Sequence, residues 1–216
     1  MNLKNDTFKK LISKKGSRRS EIKYDISNFS EEFFVKNYCL KEIYQGRQIT
    51  SIYYDNQELD FYHLSQEGIL PRKKVRIRYY KPDEYFLEIK SQDYYSKMKK
   101  TIKIQNIDDL NFYLLENGIR QMLKPNIKVN FYRRYFKSLV GRITIDSQIN
   151  YSISDPNNLL MERNKVVTNQ KILEIKFDNI NDKIPFSFKD IELKEQRNSK
   201  YCNGIDIIYK KLYSNF

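Results

Sequence analysis

Arg72, Lys74, Arg76 and Arg78 stand at every second position of one stretch, with Val75, Ile77 and Tyr79 between and after them. Side chains alternate faces along a strand, so this spacing puts four cations on one face and apolar residues on the other. The pattern recurs with carboxylates mixed in. Glu88 and Lys90 oppose Leu87 and Ile89, Glu174 and Lys176 oppose Leu173, Ile175 and Phe177, and Glu21 and Lys23 oppose Ile22 and Tyr24. Arg142, Thr144 and Asp146 oppose Ile143 and Ile145, and Arg133 shares a face with Phe131 and Tyr135. A charged face on one strand is ordinarily a solvated face. Three copies of Glu-x-Lys on separate strands point instead to faces that converge inside a closed or nearly closed barrel. Guanidinium groups bind phosphate oxygens bidentately. Carboxylates hold a hard divalent ion such as Mg²⁺ or Mn²⁺, which bridges phosphate oxygens. Unpaired burial of such charges is costly, so the lumen must hold water or ligand. The residues describe a basic cavity with sparse carboxylates, suited to a linear polyanion.

The elements that would carry these faces can be read along the chain. Strands are expected at 20–26, 48–54, 72–81, 85–91, near 99–104, and at 126–136, 142–145 and 172–177. Pro82-Asp83 is a turn signal that joins two of them as a hairpin. Asn28 with Glu31 fits a capping box that opens a helix to about Asn37. Asp108 to Gly118 reads as a second helix, and Glu192 to Leu212 as a mostly helical end. His63 is expected to follow a turn and to take a packing or surface role. The expected fold is α+β: an antiparallel β-barrel tunnel with flanking helices and a C-terminal helix at its rim.

The composition narrows the class. The chain has 216 residues, with 40 Lys and Arg against 27 Asp and Glu, for a formal charge of +13. Residues 1–18 read as a basic arm and 19–216 as one domain. The aromatic content of 14% argues against intrinsic disorder. No apolar run is long enough to span a membrane, and the N-terminus has no apolar signal region. Two cysteines, Cys39 and Cys202, make neither a disulfide framework nor a zinc site. A reducing, cytoplasmic setting and an anionic partner follow as expectations. An RNA-binding module is the main non-enzymatic alternative, but there is no RNP-like or KH signature and only 6 glycines.

Several fragments together resemble a known family. They are Glu21-x-Lys23-Tyr24 after Arg19, Ser51-Ile52-Tyr53-Tyr54-Asp55, and the Arg72 to Tyr80 alternation. They continue with Leu87-Glu88-Ile89-Lys90, Phe131-x-Arg133, Arg142 to Asp146, Leu173-Glu174-Ile175-Lys176 and Ser199-Lys200-Tyr201. In order and spacing they resemble the VTC domain, the polyphosphate polymerase domain of the vacuolar transporter chaperone complex. That domain belongs to the triphosphate tunnel metalloenzyme superfamily, and the chain looks like its short, stand-alone bacterial members.

The resemblance implies a tunnel that holds a nucleoside triphosphate such as ATP, or inorganic polyphosphate, with a divalent metal. It makes Lys23, Arg76, Arg78, Lys90, Arg133 and Arg142 phosphate ligands and Glu174 the metal ligand. Lys200 becomes a basic residue supplied by the C-terminal helix, with Arg197 one turn earlier on the same side; both join Glu174 as catalytic candidates. Face parity adds Lys74, Lys99, Lys103 and Lys176 to the phosphate set. Lys100 replaces Lys99 if that strand is bulged. Glu21 and Glu88 are second-rank metal candidates, with the alternative that they only balance the lysines. Superfamily triphosphatases usually show Glu-x-Glu-x-Lys in the first strand. Arg19 in place of the first Glu shifts the expectation from a hydrolase towards a polymerase. A triphosphatase and a non-catalytic polyphosphate binder stay open as alternatives.

Overall fold

The computed structural model describes residues 21–81, 84–138, 141–155, 158–159, 161–177, 193 and 195–213. The basic arm, Arg19 and the Pro82-Asp83 turn lie outside the described residues. The strands are β1 (Glu21–Asp25), β2 (Lys41–Asp55), β3 (Arg72–Tyr79), β4 (Tyr85–Gln92), β5 (Lys97–Ile104), β6 (Lys124–Ser138), β7 (Gly141–Ser154), β8 (Glu162–Val167) and β9 (Ile172–Phe177). The α-helices are α1 (Glu31–Asn37), α2 (Asp60–Glu67), α3 (Leu110–Glu116) and α4 (Lys200–Tyr213).

One antiparallel sheet runs in the order β1-β9-β7-β6-β2-β3-β4-β5, with β8 paired to β7 off this path. Charged side chains from all eight strands of the path line a single cavity, so the sheet curls around it. No ladder joins β1 to β5 among the described residues. The expected barrel is therefore an open, curled sheet, because closing it would need backbone bonds between the two edge strands. No described helix is long and apolar enough to cross a membrane.

The apolar faces point outward from the cavity and are covered by the helices. Ile143, Ile145, Leu173, Ile175 and Phe177 pack with Phe34 of α1. Ile52, Ile77, Leu87, Ile127 and Tyr151 pack with Leu110 and Leu114 at α3 and with Ile205 and Ile208 of α4. Each full burial of such a side chain is worth roughly 1.5–3 kcal/mol. The alternation thus does two jobs: one parity makes the core and the other makes the lining.

Local capping differs from expectation at α1. Ser30, not Asn28, is the cap, and its hydroxyl accepts from Phe33 N at 3.1 Å. α2 is an addition, and His63 lies in it rather than after a turn. Its free N–H groups at Phe61 and Tyr62 donate to the carboxylate of Asp55, at 3.1 and 3.0 Å. α2 ends at Gly68, whose φ of 75° suits glycine. β8 is also an addition, and β2, β6 and β7 are longer than the sequence signals. α4 starts at Lys200 rather than near Glu192, a residue outside the described set.

α4 lies directly on the sheet. A Cβ at Gly204 would come within 2.7 Å of Ile127 Cγ2 and 2.8 Å of Tyr151 Cδ1. Gly204→Val must push the helix away from β6 and β7. The expected loss is about 1–3 kcal/mol of stability, read in urea as a lower midpoint at an unchanged slope.

Candidate functional site

The curled sheet encloses about 330 Å³. Among the described residues, eleven cationic side chains line the cavity, against three carboxylates, Glu21, Glu88 and Glu174. Of the expected ligands, Lys23, Lys74, Arg76, Arg78, Lys90, Lys99, Arg133, Arg142, Glu174, Lys176 and Lys200 all reach it. β4 and β5 pair without a register shift, so Lys99 and not Lys100 faces inward. Two expected residues are not in the lining. Lys103 lies further along β5, largely exposed, and pairs with Glu84 at 3.2 Å. Arg197 precedes α4 in irregular chain, so the expected one-turn relation to Lys200 is absent; its guanidinium instead lies beside Gly68.

The carboxylates hold the cations in three groups. Glu88 accepts from Arg76 Nε at 2.8 Å and Lys99 Nζ at 2.8 Å, with Arg78 3.5 Å away. Burial alone would raise its pKa, but the charges of Arg76 and Arg78 pull it down to about 2. Asp146, 1% exposed, takes both arms of Arg133 at 2.5 and 2.7 Å and Lys200 Nζ at 2.5 Å. Against its burial, Lys200 and Arg133 keep it ionised. Glu21 and Glu174 share two lysines. Lys23 lies 3.0 Å from Glu21 and 3.9 Å from Glu174, and Lys176 lies 2.8 Å from Glu174 and 3.4 Å from Glu21. Burial raises the Glu174 pKa, but Lys23 and Lys176 outweigh it and hold the group well below the usual carboxylate range.

The Ser199-Lys200-Tyr201 motif gives each residue a task. Ser199 Oγ caps α4 by accepting from Cys202 N at 3.4 Å, and it also accepts from Lys74 Nζ at 2.8 Å. Lys200 Nζ reaches into the cavity 4.6 Å over the Phe131 ring. Tyr201 stacks on Tyr53 at 5.2 Å and donates to Asp55 Oδ2 at 2.5 Å. Asp55 therefore fixes both the start of α2 and the start of α4, and through α4 the position of Lys200. Tyr62 and Gln66 of α2 also donate to Asp206 of α4 at 2.5 and 3.0 Å, which locks the two helices together.

Several lining residues were not read as ligands from the sequence. Tyr80 and Tyr135 continue the parity of Arg78 and Arg133, and Thr144 stands between Arg142 and Asp146. That parity was the available signal. Thr144 is 4% exposed, lines the cavity, and its hydroxyl has no hydrogen-bond partner among the described residues. A buried orphan hydroxyl is costly unless something in the cavity bonds it. Arg47 shares the parity of Ser51 and Tyr53, but it precedes the strand start expected at residue 48; the two register shifts around Tyr44 lie on its N-terminal side.

No described group of three His, Cys, Asp or Glu side chains could cage a metal. Mg²⁺ usually takes only one or two carboxylates plus substrate phosphates. Glu21 and Glu174 provide such a pair: burial and the Glu174 charge oppose ionisation of Glu21, but Lys23 and Lys176 keep its pKa below the usual value. The donor set therefore fits a metal that arrives with a phosphate ligand.

The VTC domain model matches residues 17–121 and 105–209, in two overlapping segments. The chain belongs to the VTC domain family. No curated protein matches it in sequence. Among solved structures, the Hippeastrum protein HpAC1, described as having a dominant triphosphatase activity, aligns over 87% of this chain and 95% of its own. The identity is 10% and the TM-score 0.50, a likeness of fold. A Vibrio parahaemolyticus protein named as a candidate adenylate cyclase aligns over 88% and 99%, at 15% identity and a TM-score of 0.49. The PH1819 protein of Pyrococcus horikoshii aligns over 90% of both chains, at 18% identity and a TM-score of 0.43.

Two groups in the lining titrate near neutrality. Burial and the charge of Arg76 push Lys90 down to about 8. Burial alone would raise the Tyr53 phenol, but Arg76 and Arg78 bring it down to about 8 as well. As pH rises through 8, Lys90 loses a positive charge and Tyr53 gains a negative one. Both changes disfavour an anion. Sulfate keeps its charge over this range, so its affinity, measured by calorimetry, should fall about tenfold from pH 7 to 9, equivalent to about 1.4 kcal/mol.

Proposed function

We propose that the chain binds a nucleoside triphosphate or inorganic polyphosphate in this cavity and transfers a phosphoryl group. The favoured reaction is polyphosphate synthesis from ATP with a divalent metal. The observation that carries this reading is the concentration of eleven cations around one cavity with too few carboxylates to neutralise them. Phosphoryl transfer depends on positioning and charge neutralisation more than on a covalent catalyst. Arg76, Arg78, Arg133 and Arg142 hold the phosphates in line. An oxygen of the acceptor phosphate attacks the γ-phosphorus, and the bond from γ-phosphorus to the β–γ bridging oxygen breaks. ADP leaves with that oxygen, and the acceptor is one phosphoryl unit longer. Lys200 faces the charge that develops on the reacting oxygens. Lys90 and Lys74, with no carboxylate in ion-pair range among the described residues, give cationic lining that a ligand can use at once. The Thr144 hydroxyl finds its partner in a phosphate oxygen. Glu174, with Glu21, would hold the metal, which supplies further neutralisation of the phosphates. Glu88, already surrounded by cations, orients Arg76 and Lys99.

Hydrolysis is the second reading, since water in place of the acceptor phosphate gives a triphosphatase. The activity described for HpAC1, which shares the fold, supports it.

³¹P NMR of the protein with ATP, Mn²⁺ and a pyrophosphate primer separates the two. A growing signal from internal phosphates is the expected result, and orthophosphate alone would select the hydrolase. Glu174→Gln should reduce metal-dependent turnover at least tenfold. In metal-free buffer it should leave tripolyphosphate affinity unchanged or tighter, because a negative charge has left the cavity. If neither ligand binds the wild type, the polyanion reading is wrong.

A further inference from the structure

The phosphate-binding face of the cavity changes character abruptly on two strands at once. Two residues beyond Arg78, on the same face, stands Tyr80. Two residues beyond Arg133, on the same face, stands Tyr135. Arg47 pairs in register with Arg133 across the β2–β6 ladder. Its guanidinium lies 4.1 Å over the Tyr80 ring and 5.4 Å from the Tyr135 ring centre, and its Nε donates to Tyr135 Oη at 3.0 Å. All three side chains line the cavity. Arg47 is exposed and Tyr80 and Tyr135 are half-buried, so this group sits where the cavity meets solvent.

A chain of phosphates has no use for aromatic rings. Its oxygens want donors and cations, and the faces of tyrosine rings carry partial negative charge. A planar guanidinium stacked on an aromatic ring is a surface for another flat π-system. The step from the last arginine to the tyrosine is two strand residues, roughly 7 Å. A ribose has to be spanned between a phosphate and a base. Arg47 also faces two ways chemically: its charge belongs with the phosphates and its flat face with a base.

We propose that Arg47, Tyr80 and Tyr135 form a nucleobase subsite, in which the base stacks on the exposed face of the Arg47–Tyr80 layer beside Tyr135. The inference rests on the nucleotide reading above and deepens it by assigning the side chains that would hold the base of the nucleoside triphosphate. The triphosphate then enters base-last, with its γ-phosphate towards Arg76, Lys90 and Lys200. Stacking is tolerant of base identity, so the subsite admits purines generally and prefers them to pyrimidines.

The test compares two ligands in metal-free buffer, the non-hydrolysable β,γ-imido analogue of ATP and inorganic tripolyphosphate. Arg47→Lys keeps the charge and removes the flat surface. Tyr135→Leu removes the neighbouring ring, and circular dichroism checks that each variant folds. Both variants should bind the ATP analogue about five- to tenfold more weakly and tripolyphosphate within twofold of wild type. The adenine protons of the bound analogue should move upfield in the wild type, and less in the Tyr135→Leu protein. Equal losses for both ligands, or no loss for either, would overturn the subsite while leaving the phosphate cavity intact. Failure of the wild type to bind either ligand would overturn the cavity reading itself, and the subsite with it.

Discussion

Like charges brought together in a partly desolvated cavity repel each other, and the structure is organised around limiting that repulsion. The carboxylates in and beside the cavity each serve more than one cation. Glu88 answers to Arg76, Arg78 and Lys99, and Asp146 to Arg133 and Lys200. Glu21 and Glu174 share Lys23 and Lys176. A carboxylate removed alone would leave two or three cations unanswered, which costs far more than the net worth of any one pair. These pairs fix the geometry of the lining before a ligand arrives, and that is preorganisation in the sense that matters for charge-stabilised chemistry.

A second constraint runs from the lining to the helices. Asp55 sits buried at the end of β2 and is not itself part of the cavity lining. It nevertheless accepts from the first turn of α2 and from Tyr201 of α4. Tyr201 is followed in the helix by Gly204, whose missing side chain lets α4 lie against Ile127 and Tyr151. Lys200 is thus placed by a buried carboxylate, a ring stack whose Tyr53 also lines the cavity, and a glycine that is not part of the lining.

The faces of β1, β3, β4, β7 and β9 were legible in the sequence because strand periodicity is strict and the two parities differ so sharply in polarity. Almost all of the expected phosphate ligands converge for that reason. The misses share a different cause. α2 is short and takes its cap from Asp55, five residues before the helix begins, so no local cap signal marks it. β8 is a largely exposed strand off the main path with little apolar content. Arg47 lies one residue before the strand start that the sequence signals, just after the register shifts around Tyr44. Arg197 was placed by extending a helix backwards through a polar stretch that instead approaches α4 as irregular chain. Whether the sheet closes depends on its two edges meeting, a non-local matter that no single segment encodes.

The surplus of cations over carboxylates makes the cavity behave as a small ion exchanger. In the absence of ligand its excess charge is balanced by mobile anions drawn from solution. An orthophosphate that enters displaces about its own equivalent of them, and little disorder is gained. A linked run of phosphates displaces several while giving up the freedom of only one molecule, which is the entropic logic of counterion release. On the proposed reading, the cavity would discriminate by the number of connected phosphates, without any contact that measures length. Single phosphates would be retained least, and high salt would erode the advantage of the longer anions first.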